Sequence, residues 1–269
     1  MNTAKSKQEQ QIYIPTIESV TLRFHVLGKS PLISNRLPEK ARQELLLPAA
    51  KKNQAERSAS VKHDVLAEYR SSVYRTNSED QSPTRIHYPS RAFGQALANA
   101  ALDFPGAQRT QLERLTRVKG INTPIFGLPM LLMSVVRTAG INRTPDIRTR
   151  AIFPEWAALV DVCYTKPLIT QEVVVNLFGA CGEIIGIGDY RAGKGGSFGQ
   201  FEIVDADDPR FLKLLKTAGR EAQDRALANP VAYDTDTQDL YEWFSVEANR
   251  REKRVLMPSN SNRLAEVIK

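Results

Sequence analysis

The stretch LFGACGEIIGIGDYRAGKGGSFGQFEIV (177–204) decides how this chain reads. It opens as the end of an apolar helix and closes as a hydrophobic strand. Between them lies a loop with glycine at 186, 188, 193, 195, 196 and 199. Glycine admits backbone angles closed to other residues and lets one backbone approach another. Successive main-chain N–H groups in such a loop can form a nest for an anion. Arg191 and Lys194 add positive charge, and Tyr190 and Phe198 add faces on which a base can stack. A plain hairpin loop with glycines for its turn is the competing reading. Two nucleotide-binding patterns come close and fail. Gly188 to Lys194 reads G-x-x-x-x-G-K, but Gly195 stands where a P-loop needs Ser or Thr, and a strand follows. Gly186-Ile187-Gly188 starts like a dinucleotide fingerprint, but Arg191 occupies the place of its third glycine.

Upstream of this stretch, Thr170 opens a helix with Val174, Leu177, Phe178 and Cys181 on one side, and Gly182 stands at a C-terminal glycine position. Trp156 to Tyr164 and PMLLMSVVR (129–137) read as strands, separated by an arginine-rich loop over 138–150. Ser90 caps a helix whose apolar stripe is Phe93, Leu97, Ala100 and Phe104. A short basic helix is expected over 109–118. SVTLRFHVLG (19–28) alternates as a strand. Residues 1–15 read as an arm, 35–85 as a mainly helical insertion, and 206–269 as an extension of about two helices. Without the insertion the order is strand, helix, strand, strand, helix, strand. The expected fold is therefore α+β: a ferredoxin-like or RRM-like split βαβ core within residues 1–205, with the helical insertion and a C-terminal helical extension.

Charge and composition narrow the function. The net charge is +7, and residues 1–90 hold 14 basic and 9 acidic side chains while residues 91–160 hold 9 and 4. A basic excess in the first 160 residues favours a polyanionic partner. No apolar run has the length of a membrane span, and the N-terminus lacks a signal-peptide core, so the expected location is the cytoplasm. Cys163 and Cys181 fit neither a disulfide framework nor a zinc site. With only His25, His63 and His87 beside them, no metal or other cofactor is expected. No general acid–base pair stands out, and an ion pair accounts for Asp146 among its arginines.

Three stretches together resemble the RAMP superfamily, the RRM-like proteins that build the backbone of CRISPR effector complexes and include guide-processing nucleases. The first strand with LGKSPLISN is similar to that family's opening strand and its "TPLHIG"-like sequel. YPSRAFGQALANA is similar to its "IPGSSLKGALR" helix start, and 177–204 is similar to its "LGGKRSRGFGRV" ending with a longer loop. They occur in the family's order and span roughly residues 18–204. The FPEW (153–156) and GxGxxRxxKGGxFGxF (186–201) elements also resemble a phage- and prophage-encoded group of no established activity.

The resemblance implies a protein that grips single-stranded RNA, or DNA, by its backbone. Ser90 and Arg91 at the helix start would contact phosphates together with Gly186, Gly188, Arg191, Lys194 and Gly195, while Tyr190 and Phe198 offer stacking faces. Arg137, Arg143, Arg148 and Arg150 would line a thumb-like hairpin. It also implies head-to-tail stacking of copies along the strand, with other effector-complex subunits as further partners. The cleaving members' aspartate is missing from SPLISNRLPEK, which offers Asn35 and Glu39 instead, and His25 lies inside the first strand. A non-catalytic binder is therefore expected. A phage single-strand annealing protein and a guide-processing endoribonuclease are the alternatives.

Overall fold

The computed structural model describes residues 14–46, 63–77, 81–137 and 145–256. Within them the protein is α+β, with antiparallel sheets and several helices. The main sheet is built on β1 (Glu18–Gly28), which pairs along almost its whole length with β9 (Trp156–Lys166). On its other side β1 pairs with β10 (Phe201–Val204). The far edge of β9 is shared. β5 (Thr116–Val118) takes one end, and β6 (Asn122–Gly127) takes the other. β4 (Ile86–Pro89) and β3 (Tyr74–Arg75) continue the sheet beyond β6.

Alternation assigns the faces of this sheet. Phe24 and Val26 of β1, with Ala158, Val160 and Val162 of β9, point into the main core. There they meet Phe93 and Leu97 of α3 (Ser90–Ala100) and Val174, Leu177 and Phe178 of α5 (Gln171–Ala180). The opposite face is half covered. Phe211 and Leu214 of α6 (Pro209–Thr217) close on Leu27, Phe126 and Ala157. Beyond them Arg23 and Asp161 pair across the strands at 2.7 Å. His25 lies edge-on to Phe211, with ring centroids 5.3 Å apart, which is a packing role.

Several boundaries depart from the expectation. Residues 130–137 do form a strand, β7 (Met130–Arg137), but not in the main sheet. It pairs with β8 (Pro145–Phe153) in a separate three-stranded sheet completed by β2 (Leu32–Ser34). Residues 145–150 of the expected 138–150 loop are thus strand, and the main-sheet position falls to 122–127. The basic helix, α4 (Arg109–Leu115), is shorter than expected and gives way to β5. In the insertion the described elements are α1 (Glu39–Glu44), α2 (Val65–Ser71) and β3. Gly182 does not end α5. The chain winds on through a wider π-type turn, Cys181–Ile185, and stops at Gly186 with φ +66°. Gly182 is needed for closeness instead, since a Cβ there would lie 2.3 Å from the Phe201 carbonyl oxygen. Trp156 of the FPEW element is fully buried against Gly28 and donates from Nε1 to Ser30 O at 2.9 Å.

The extension comprises α6, α7 (Arg220–Ala228) and α8 (Thr235–Leu256), and it shares the core. Gln223 of α7 is buried beneath the sheet. Its Oε1 accepts from Ile86 N at 2.9 Å, and its Nε2 donates to Ile125 O and Gly127 O at 2.7 and 3.0 Å. One side chain thus satisfies three backbone groups of β4 and β6. Gln223→Ala would strand all three in a dry interior and is expected to destabilise the protein by about 3 kcal/mol, read by chemical denaturation. Both cysteines are buried and free, and burial pushes the Cys181 thiol up. No described helix is long and apolar enough to cross a membrane.

Candidate nucleic-acid interface

The glycine loop folds back on itself and onto the segment that follows β1. Ile187 N donates to Gly199 O at 2.9 Å, and Phe198 N donates to Tyr190 O at 3.2 Å. Gly199 N donates to Pro31 O at 2.8 Å, and Asp189 N to Ile33 O at 3.0 Å. The glycines make these approaches possible. A Cβ on Gly196 would lie 1.7 Å from Tyr190 O, and one on Gly188 would lie 2.6 Å from Leu32 Cδ1. Gly186, Gly188, Gly195 and Gly199 all have positive φ. Tyr190 does too, at +50°, an uncommon conformation for a residue with a side chain.

This geometry separates the residues of the expected site. Gly186 and Gly188 are buried, and Gly186 N already donates to Cys181 O at 2.8 Å. They hold the loop closely against its own returning backbone and against Leu32 and Ile33. Much of the imagined nest is likewise engaged, because the amides of Asp189, Lys194, Gly195 and Gly196 donate within the chain. Ser90 is not a cap. It is the first residue of α3, buried, with its N–H donating to Ile121 O and its hydroxyl bonded to Thr123 Oγ1 at 2.8 Å. Phe198 is half-buried against Ile33, Leu132 and Ile152, so its ring packs the loop down. Arg143 lies outside the described residues.

What remains is a cluster on the rim of the loop. Tyr190 is exposed, Arg191 is half-exposed, and Lys194 and Gly195 project from the tip. Arg191 Nη1 donates to Gly188 O at 3.3 Å, which steadies its charge beside the loop. The register of β7 with β8 sets Arg148 opposite Ser134 and Arg150 opposite Leu132, on one face of that hairpin. Arg137, opposite Pro145, belongs to the other face and stands apart. Arg148 is exposed, whereas Arg150 is buried with its guanidinium 5.4 Å from the Tyr190 ring centroid. Asp189 joins them, accepting from Asn35 Nδ2 at 2.9 Å and pairing with Arg150 Nε at 3.3 Å. Tyr88 faces the same charges. Burial raises its hydroxyl pKa, with Tyr74, Arg191 and Asp189 as its charged or titratable neighbours. Arg150 thus pairs with Asp189, with Tyr190 and Arg148 as its further charged or titratable neighbours, and Arg191 holds the preceding Gly188 carbonyl. Arg91 is exposed on the first turn of α3.

Sequence reasoning missed one constellation. His63 Nδ1 lies 2.7 Å from Glu68 Oε1, and Nε2 lies 3.1 Å from Asp146 Oδ1. The expected role of Asp146 as an ion-pair partner thus involves a histidine 83 positions away. Both ring nitrogens are engaged by carboxylates, so the imidazole ties α2 to β8. No group of three or more His, Cys, Asp or Glu suited to a metal occurs among the described residues. No family model matches this chain, and no curated protein matches it at a significant level.

Proposed function

We propose that this chain binds single-stranded nucleic acid, RNA in the first place, through the rim of the glycine loop and the adjoining face of the β7–β8 hairpin. It grips the backbone and does no covalent chemistry. The observation that carries the reading is an exposed Tyr190 at positive φ, its ring against Arg150 of the hairpin, with Arg191 and Lys194 in its own loop and Arg148 next to Arg150 on the same hairpin face. Cationic groups held beside an aromatic face suit a phosphodiester chain whose bases can stack without regard to sequence.

A ferredoxin-like core of the RAMP type is part of the same proposal. Strand order β10-β1-β9-β6, with α3 between β1 and β6 and α5 between β9 and β10, supports it. Under that reading the β7–β8 hairpin is the thumb-like insertion between the two middle strands in sequence. The half-covered outer face of the sheet, with its Arg23–Asp161 pair, is a poor platform for bases, which favours the loop rim as the binding surface.

The test is Arg191→Ala combined with Lys194→Ala. The pair is expected to weaken binding of a labelled single-stranded oligonucleotide about tenfold at moderate salt, and to flatten the dependence of affinity on salt. Thermal melting should be nearly unchanged, because neither side chain is buried. The oligonucleotide should come through intact with magnesium or manganese present. Unchanged affinity would leave the glycine loop as a turn and no more. Specific cleavage lost in His63→Ala would favour the nuclease reading.

A further inference from the structure

Arg150 is 5% exposed, yet its Nε and Nη1 have no hydrogen-bond acceptor among the described residues. Its ion pair to Asp189 is too poorly aligned to count as a hydrogen bond. Burial draws the Arg150 pKa down, and Asp189 draws it partly back. A desolvated guanidinium short of acceptors is costly, and in a folded protein it points to a group that completes it when bound.

The surroundings restrict what that group can be. Asp189 is largely engaged already: Oδ1 accepts from Tyr190 N at 3.1 Å, and Oδ2 accepts from Asn35 and faces Arg150. Donors are therefore in surplus, and the ligand must bring acceptors. A phosphate against Arg150 would also stand against the Asp189 carboxylate. A neutral carbonyl oxygen accepts from the guanidinium without that repulsion. Tyr190 lies at the guanidinium and is about half exposed, which gives a flat group a surface to stack on.

We propose that Arg150, Asp189 and Tyr190 form a nucleobase site that takes the carbonyl edge of uracil or thymine and disfavours adenine. Uracil and thymine each present two carbonyl oxygens. Adenine has no carbonyl; its acceptors are ring nitrogens, and the amino group beside N1 and N7 would meet further donors. The proposal rests on the strand-binding reading above and adds a base preference to it. Arg148, Arg191 and Lys194 hold the backbone, and Arg150 reads one base.

The experiment compares three labelled strands of equal length at one salt concentration: oligothymidine, oligodeoxyadenosine and an abasic deoxyribose-phosphate oligomer. The wild-type protein is expected to bind oligothymidine about tenfold tighter than either of the others, the size of one good base contact. Arg150→Lys keeps the charge and loses the planar fork. It should bring oligothymidine down toward the other two and leave the abasic oligomer where it was, with a melting curve reporting that the variant is folded. Tyr190→Leu should reduce the same preference. Equal wild-type affinity for oligothymidine and the abasic strand, or tighter binding of oligodeoxyadenosine, overturns the base site while the strand-binding reading stands. A preference that persists in Arg150→Lys overturns the assignment to Arg150. Binding to none of the three overturns the strand-binding reading itself.

Discussion

Gly199→Ala is expected to lower the melting temperature by about 10 °C and to abolish strand binding. The reason is contact, not composition. Gly199 has φ +70°, and a Cβ built on it would lie 1.7 Å from Ile187 O and 2.8 Å from Ile187 C. No carbon tolerates an oxygen at that distance, so the backbone must move. The two backbone bonds that fix this position, Ile187 N to Gly199 O and Gly199 N to Pro31 O, would move with it. Losing both, with the left-handed strain added, is an effect of about 4 kcal/mol. For a chain of this size each kcal/mol shifts the midpoint by about 2–4 °C. Binding should fail as well, because Tyr190 and Arg191 are set by the same crossing. Gly195→Ala is the matched control. It shares the positive φ, +77°, but a Cβ there meets nothing within 4 Å. Its cost should stay near 1–2 kcal/mol, the intrinsic price of that conformation, and binding should survive. Similar losses in both variants would mean that the loop senses backbone angle alone and that the crossing is unimportant.

Parts of this architecture were legible from pattern. β1, α3 and α5 announce themselves because each has one face in the core and one outside, so the apolar spacing is visible. β6 hid behind Pro124, which reads as a breaker, although its register opposite His87 lies near the start of the strand where proline is tolerated. β8 hid because PDIRTR is polar. Pro145 to Arg148 are exposed or half-buried, and burial runs from Thr149 to Phe153. The split into two sheets was invisible for the same reason. PMLLMSVVR looks equally buried in either, and nothing local says which partner it takes.

The candidate site was legible in its residue types and not in its geometry. Six glycines near an arginine and a tyrosine signal an unusual loop, but not which carbonyls the glycines accommodate. The loop turned out to use much of its N–H complement internally, which shifts the burden of binding from backbone to side chains. Arg150 looked like one of four equivalent loop arginines. Its burial depends on Tyr190, Asp189 and the hairpin register, each set by contacts tens of residues away. The His63–Asp146 contact is of the same long-range kind.

On strands of increasing length the protein is expected to assemble in growing numbers, with apparent affinity rising about a hundredfold between a strand that fits one copy and one that fits several. A single rim of Tyr190, Arg148, Arg191 and Lys194 spans only a short piece of strand, so one copy should hold weakly. Neighbouring copies that touch convert later binding events into local ones, and avidity of this size follows without any new contact to the strand. The stacking that the RAMP resemblance implies is head-to-tail, and such a contact extends without closing. The extension has surface to offer for it. Tyr241 and Phe244 pack α8 onto the core, while Trp243 and Val246, three positions apart on that helix, are 67% and 71% exposed. Light scattering on complexes with strands of stepped length should give masses that climb by whole copies. Trp243→Glu should leave binding to the shortest strand unchanged and flatten the climb on longer ones. A complex of one copy at every length would refute stacking and leave the loop rim as a solitary binding site.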